Sequence, residues 1–178
     1  MRTNQEHGFT LTELLIVVAL MGVLAAIAIP MLLRARQSGY QSSAIGSLRT
    51  VISAQFLYGT SCGNGFFAPA LTTLGRAPAG GPAFIGPDLG AADVVVKSAY
   101  TLTIGSSTGA DPSSPSSCNG QAAGTSPVGY WATATPTLNA GSYAYGTNAN
   151  GTIYQASQLA QLAMTDATAP AGAQVISK

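Results

Sequence analysis

One segment near the N-terminus constrains this chain more than any other feature. From Leu14 to Leu33 the sequence runs for twenty residues without a charged side chain. As a helix, such a stretch is about 30 Å long, which is the hydrocarbon thickness of a bilayer. The alanines at 25, 26 and 28 mimic a signal-peptidase site, but the apolar stretch is long for a cleaved secretory signal. Hydrophobicity alone fits a plain signal anchor as well as it fits any other kind of membrane-inserted segment.

The composition also favours membrane residence or assembly. Only 7% of the 178 residues are charged, 47% are hydrophobic and the mean hydropathy is +0.29. A soluble domain usually has about a quarter of its residues charged. A net charge of +1 argues against binding nucleic acid through a bulk electrostatic field.

The junction between the polar N-terminus and the apolar stretch holds a distinctive motif. Gly8-Phe9 is followed by Thr10, Leu11 and Thr12, and then by Glu13. A carboxylate at the entrance of an uncharged span is costly unless it is paired. The string from 8 to 18 resembles the processing signature of type IV pilins and type II secretion pseudopilins. The resemblance covers roughly residues 6–37, and it departs from many relatives at Thr12, where they have an aliphatic residue.

The resemblance implies a pathway for the N-terminus. A prepilin peptidase would remove residues 1–8 by cutting between Gly8 and Phe9, and would methylate the new Phe9 amine. Glu13 would then pair with the Phe9 ammonium of a neighbouring subunit, because two charges that are each costly in lipid become tolerable together. The implied partners are membrane lipid, an inner-membrane assembly platform and further copies of the chain. The chain would cross the inner membrane once with its N-terminus cytoplasmic, and then enter an extracellular pilus or periplasmic pseudopilus.

Helical periodicity continues beyond the apolar stretch. We predict one helix over 9–58, with 9–33 as the transmembrane and filament-core half and 34–58 as an amphipathic half. The amphipathic half has an apolar stripe of Tyr40, Ala44, Ile45, Leu48, Val51, Ile52 and Phe56. Pro30 removes one helical hydrogen bond, so a kink or opening is expected there, with Gly22 as a second weak site. Pilins soften between such residues, so the resemblance implies the same softening over Gly22–Pro30.

The sequence pattern of residues 59–178 predicts a globular head with antiparallel strands. A loop region over 66–93 precedes strand signals at 94–104, 128–135 and 142–147, and a turn at Asn150-Gly151 predicts a hairpin with 152–155. Residues 156–164 suggest a short helix or a loosely packed tail. Three or four strands packed on the amphipathic half-helix give an α+β, type IV pilin-like fold.

The two cysteines form one candidate disulfide. Cys62 and Cys118 would face an oxidising periplasm or exterior, and their bridge would attach the helix end to the loop before the second strand. Two free thiols are the alternative. Because many pilins have their bridge near the C-terminus, a receptor-binding disulfide loop is not carried over to this chain.

Sequence motifs for catalysis are absent, and no cofactor or metal is predicted. Cleavage after Gly8 would remove His7, the one histidine, and with it imidazole chemistry. Asp88 and Asp93 lie five apart in one loop, which is weak support for calcium. The Ser/Pro-rich segment 111–117 suits an exposed loop or O-linked sugars.

The leading hypothesis is therefore a structural subunit of a type IV pilus that supports adhesion, motility or DNA uptake, and not an enzyme. A type II secretion pseudopilin is the close alternative, because the signature does not separate the two. A membrane-anchored binding domain that does not assemble is an alternative of a different class, and such an anchor has no need for Glu13.

Overall fold

The structure, a computed structural model, describes residues 9–137, 141–157 and 163–177, and it divides into two compact units. The first unit is Met1–Gln37 and the second is Ser38–Lys178. Helix α1, Leu11–Ser61, begins in the first unit and ends in the second. The second unit also contains short helices α2, Leu71–Gly75, and α3, Pro87–Gly90.

A six-stranded antiparallel sheet forms the rest of the second unit. Its strands are β1 (Val94–Lys97), β2 (Tyr100–Gly105), β3 (Trp131–Pro136), β4 (Tyr143–Asn148), β5 (Ile153–Ser157) and β6 (Gln174–Ser177). They lie in chain order, each paired antiparallel with the next. A long helix with an antiparallel sheet confirms the predicted α+β fold.

The C-terminal half of α1 packs on one face of the sheet. Its buried residues recur every three or four positions, as Ala44, Leu48, Val51, Gln55 and Tyr58 do. They share a core with alternate residues of the strands, among them Tyr100, Leu102, Ala132, Ala134 and Tyr145. This is the α+β packing expected when an amphipathic helix covers the apolar face of a sheet.

The predicted apolar stripe is correct except at one position. Leu48 and Val51 are buried, and Ile45 and Ile52 pack partly against the core, but Phe56 is 71% exposed. The row of buried residues on the helix includes Gln55 in place of Phe56. The Gln55 side chain donates to the carbonyl of Ala68 and accepts from its N–H, both at 2.9 Å. These two bonds satisfy a polar side chain at a core position, so the helix turns Gln55 inwards and Phe56 outwards.

The number of strands was underestimated. The segment 94–104 is not one strand but the hairpin β1–β2, whose two-residue turn has Ser98 and Ala99 at φ of 48° and 60°. The Ser43 hydroxyl donates to the Ser98 hydroxyl at 2.8 Å and helps hold this unusual turn. The strand predicted from 128 begins at Trp131, and β6 was not predicted.

Other boundaries differ by a few residues. Helix α1 begins at Leu11 rather than Phe9 and ends at Ser61 rather than Tyr58. The β4–β5 hairpin is confirmed, with the Gly151 N–H donating to the carbonyl of Asn148 at 2.9 Å. Within 156–164, residues 156–157 belong to β5 and 158–162 lie outside the described residues, so the short helix suggested there stays a prediction.

Candidate functional site

At the start of α1, Thr10 and Glu13 form reciprocal hydrogen bonds. Thr10 precedes the first helical residue, and Glu13 lies in the first turn. The Glu13 carboxylate oxygen Oε2 accepts from the Thr10 N–H at 2.9 Å and from the Thr10 hydroxyl at 2.7 Å. In return the Glu13 N–H donates to Thr10 Oγ1 at 3.3 Å. This is a capping box, in which two backbone donors at the helix start are satisfied reciprocally.

The capping box was missed by the sequence interpretation, although its signal was present. Thr10, two intervening residues and Glu13 before an apolar run are the Thr-x-x-Glu pattern of such a box. The Thr12 hydroxyl adds a contact with the Thr10 hydroxyl at 3.2 Å. The position that departs from the family pattern therefore adds to the polar group at the helix start.

The two carboxylate oxygens of Glu13 are in different environments. Oε2 takes both hydrogen bonds from Thr10, while within the described residues no hydrogen bond reaches Oε1. The carboxylate thus keeps an oxygen that a cation from outside the chain can approach. Phe9, which precedes the box, is 73% exposed. Gly8, the other residue of the predicted cleavage site, lies outside the described residues.

The N-terminal part of α1 exposes a continuous apolar surface. It contains an 18-residue window with a mean hydropathy of 2.8, none of which is buried. Its large apolar side chains are between 39% exposed at Val17 and 78% at Leu11. A core helix of a soluble protein passes the same length and composition test, but it would be mostly buried. This helix has the length and apolar character to cross a membrane, and its apolar surface needs lipid or protein around it.

The two predicted weak points lie inside this helix. The backbone is helical through both Gly22 and Pro30. A Cβ added at Gly22 would meet no atom within 4 Å, so this chain alone gives the glycine no packing role. The helix is continuous across both residues, and a kink at Pro30 or softening in a filament stays a prediction.

The predicted disulfide is present at the other end of α1. Cys62 and Cys118 are bonded with their Cα atoms 4.9 Å apart, and the Cys118 N–H donates to the Cys62 carbonyl at 3.2 Å. The bridge links the residue after α1 to the loop between β2 and β3. The alternative of two free thiols is therefore wrong.

The two loop aspartates considered for calcium have separate partners. Asp88 forms an ion pair with Lys97 at 2.6 Å, and this hydrogen bond holds the pKa of the Asp88 carboxyl below its usual value. Asp93 accepts from the N–H and hydroxyl of Thr72. Across 9–137, 141–157 and 163–177, no group of three or more metal-ligating side chains occurs. The two carboxylates have these partners within the chain, so their arrangement gives no support for a shared ion.

Comparison with known proteins supports the N-terminal site. The family described as "Prokaryotic N-terminal methylation motif" matches residues 3–29. The "Type IV major pilin protein PilA" of Myxococcus xanthus (strain DK1622) is 47% identical over 51 residues, which are 29% of this chain and 23% of that protein. The match thus spans about a quarter of that relative's length.

No solved structure matches this chain. The likeness to known proteins therefore rests on the methylation motif and on the 51 residues shared with the pilin. The residues matched by the methylation motif include Thr10 and Glu13 of the capping box and the first part of the exposed apolar helix. The chain therefore carries a prokaryotic N-terminal methylation motif and is similar over 51 residues to a type IV major pilin.

Proposed function

We propose that this chain is a structural subunit of a type IV pilus, assembled through its apolar N-terminal helix. The observation that carries the proposal is Glu13, a carboxylate directly before the uncharged and exposed stretch 14–33 of α1. In a plain membrane anchor this acid would only cap the helix start, whereas a filament subunit also needs a partner for an incoming cation. The similarity to a protein named as a major pilin supports a pilus over a pseudopilus.

The cation would be made by processing. A prepilin peptidase cuts between Gly8 and Phe9 on the cytoplasmic face and methylates the new Phe9 amine. The Thr10 N–H remains an ordinary amide after this cut, so the Thr10–Glu13 capping box survives processing. The subunit waits in the inner membrane until an assembly platform inserts it into the filament base.

Glu13 would then perform two tasks with its two oxygens. Oε2 stays on Thr10 of the same chain and fixes the carboxylate at the helix start. Oε1 accepts a hydrogen bond from the Phe9 ammonium of the neighbouring subunit. Either charge alone is costly in an apolar surrounding, and pairing removes that cost. The free energy therefore favours a subunit stacked on its neighbour in the filament over a subunit that diffuses alone in lipid.

The test is a Glu13→Gln variant, which removes the charge but keeps an oxygen that can accept from Thr10. We expect wild-type cells to yield surface filaments on shearing, with subunits that begin at methylated Phe9 by mass spectrometry. The variant should be present in the membrane with a folded head but give few or no filaments. Asp111→Asn, which removes one half-buried charge from the head, is the matched control and should assemble normally.

Each result separates the alternatives. Filaments at wild-type abundance in Glu13→Gln would contradict the charge-pairing mechanism, and filaments whose subunits retain residues 1–8 would contradict processing. Short periplasmic filaments without surface pili would indicate a type II secretion pseudopilin. A processed or unprocessed chain that never assembles would indicate a membrane-anchored domain.

A further inference from the structure

We propose that Thr12 is a positioning residue for Glu13 and that it acts through the Thr10 hydroxyl. Thr12 is the position at which the motif differs from many relatives, which have an aliphatic residue there. The inference rests on the proposed pairing of Glu13 with an ammonium from a neighbouring subunit. It adds to that pairing a side chain that is not part of the capping box itself.

The direction of the contact between the two threonines follows from counting hydrogens. A threonine hydroxyl has one hydrogen to donate and two lone pairs that accept. The Thr10 hydroxyl donates its hydrogen to Oε2 of Glu13 at 2.7 Å, because an ionised carboxylate can only accept. In the 3.2 Å contact between the two hydroxyls, Thr12 is therefore the donor and Thr10 the acceptor.

This contact completes the hydrogen bonds of the Thr10 hydroxyl oxygen. Its other lone pair accepts from the Glu13 N–H at 3.3 Å. The oxygen then takes part in one donated and two accepted hydrogen bonds, which is the full capacity of a hydroxyl. Thr12 donates to Thr10 and Thr10 donates to the carboxylate, and hydrogen bonds that follow one another in this way strengthen each other by polarisation.

The surroundings of the two threonines give this contact its importance. Residues 9–39 are all exposed, so both hydroxyls lie against lipid or a neighbouring helix once the apolar stretch is embedded. A hydroxyl without a partner is costly in such surroundings. Across the ranges 9–137, 141–157 and 163–177, the Thr10 hydroxyl is the one hydrogen-bond partner of the Thr12 side chain. The Thr12 hydroxyl therefore favours the Thr10 rotamer that also contacts Glu13.

The consequence of a fixed Thr10 side chain lies at the carboxylate. Thr10 holds Oε2 with its N–H and its hydroxyl, and Oε1 is the oxygen proposed to meet the ammonium. A carboxylate that is already held loses less conformational freedom when a cation pairs with it. Loss of the Thr12 hydroxyl should therefore weaken the pairing without abolishing it, which is consistent with the aliphatic residue of many relatives.

The test compares Thr12→Val with the wild type inside the same filaments. Valine keeps the branched Cβ of threonine and removes the hydroxyl. The two full-length chains are co-expressed, and mass spectrometry gives the ratio of their N-terminal peptides in sheared filaments, relative to the ratio of processed chains in the membrane. We expect Thr12→Val to be incorporated about fivefold less than the wild type, which is the effect of one hydrogen bond. Thr12→Ser restores a hydroxyl and should recover most of the incorporation.

Two further variants separate this role from a general effect of the substitution. Thr50→Val makes the same change at an exposed position of α1, where the hydroxyl donates to the Gly46 carbonyl at 3.0 Å, and it should be incorporated like the wild type. In a Thr10→Val background, Thr12→Val should cause no additional loss, because the hydroxyl through which Thr12 acts is already absent.

Three results would overturn the proposal. They are equal incorporation of Thr12→Val and the wild type, a Thr12→Ser chain as poorly incorporated as Thr12→Val, and a full additional loss from Thr12→Val in the Thr10→Val background. Failure of the proposed function is recognised separately, because the wild type would then form no filaments, or Glu13→Gln would assemble at wild-type abundance.

Discussion

Gln55 is a single residue that decides how α1 meets the head. It is fully buried, and it holds both backbone groups of Ala68, which is itself 0% exposed. Gln55→Leu keeps the volume roughly constant but leaves a buried N–H and a buried carbonyl without partners. We expect a loss of about 2 to 4 kcal/mol in the free energy of unfolding. This loss is measured by chemical denaturation in detergent, with circular dichroism as the probe of unfolding.

The control for this change lies two positions away. Ser53→Leu places the same side chain on the exposed face of the same helix and should change stability by less than about 0.5 kcal/mol. If both variants lost the same free energy of unfolding, the introduced leucine would explain the loss, and the missing hydrogen bonds of Gln55 would not.

Asp166 is a second residue whose role appears only in the structure. It is 6% exposed, and it accepts from the N–H groups of Ser107 and Thr108 at 2.9 and 3.2 Å. The hydroxyls of Ser106 and Thr108 donate to it at 2.8 and 2.9 Å. Burial raises the pKa of Asp166, but these hydrogen bonds outweigh burial and hold the pKa of the carboxyl below its usual value. The carboxylate thus joins the end of β2 to the segment before β6.

This depressed pKa predicts the pH dependence of stability. Because the folded pKa lies below the unfolded one, the stabilisation is complete above about pH 4 and is lost as pH falls through the folded pKa. Asp166→Asn should lower the melting temperature most at pH 7, and the difference from wild type should shrink below pH 4. Thermal melts from pH 7 to pH 2 test this. Asp93→Asn, at an exposed position, is the comparison, and a difference for Asp166→Asn that stays constant over the whole range would contradict the assignment.

Periodicity in the sequence located these residues only partly. It identified Leu48 and Val51 as core, and hence the correct side of the helix. It favoured Phe56 over Gln55 because hydrophobicity alone ranks phenylalanine as the buried residue. The Gln55 hydrogen bonds are made with Ala68, 13 residues away in a loop, and no pattern within the helix contains that information. The partners of Asp166 are 58 to 60 residues away and were equally hidden.

At the scale of elements, the disulfide is the clearest stabilising link. It closes a loop with a sequence separation of 56 between α1 and the segment before β3. The double variant Cys62→Ser, Cys118→Ser should lose about 4 kcal/mol of unfolding free energy in the chain-entropy description. Its far-UV circular dichroism should be unchanged. The Asn119 amide still donates to the carbonyls of Thr73 and Arg76 at 2.7 and 3.1 Å, which keeps the loop on the head.

Reduction of the wild type supplies the matched control for this variant. Full reduction should lower the denaturation midpoint to that of the double variant, and the same reductant should not affect the double variant. A double variant as stable as the oxidised wild type would show that the loop is held by its hydrogen bonds alone.

The elements themselves were predictable where their signals were local. The long helix follows from its periodicity, and the β4–β5 hairpin follows from Asn150-Gly151. The β1–β2 hairpin was hidden because its turn is Ser98-Ala99, whereas turns with two positive φ values usually contain glycine or asparagine. Thr137 compensates from a distance, since its N–H and hydroxyl both donate to the Ala99 carbonyl at 2.9 Å. Tertiary contacts therefore stabilise a turn that local chemistry does not favour.

Across the whole chain, the buried core and the exposed apolar stretch of α1 lie in different parts of the sequence. The buried core cluster begins at Ala44 and ends at Ile153, while residues 9–39 are all exposed. The chain begins its second compact unit at Ser38. We therefore expect a fragment of residues 38–178 to fold without detergent, to remain monomeric, and to melt within a few degrees of the full chain.

A second fragment, residues 52–178, shows why the boundary lies where it does. It lacks Ala44, Leu48 and Val51, and burial of the two larger side chains contributes about 1.5 to 3 kcal/mol each. Domains of this size are stable by only about 5 to 15 kcal/mol, so this fragment should be largely unfolded by circular dichroism and by amide proton dispersion in NMR spectra. A folded 52–178 fragment, or an unfolded 38–178 fragment, would contradict this division. If both fragments behave as expected, residues before 38 are not needed for the fold of the head, and a loss of filaments in Glu13 variants can be interpreted as a defect in assembly and not in folding.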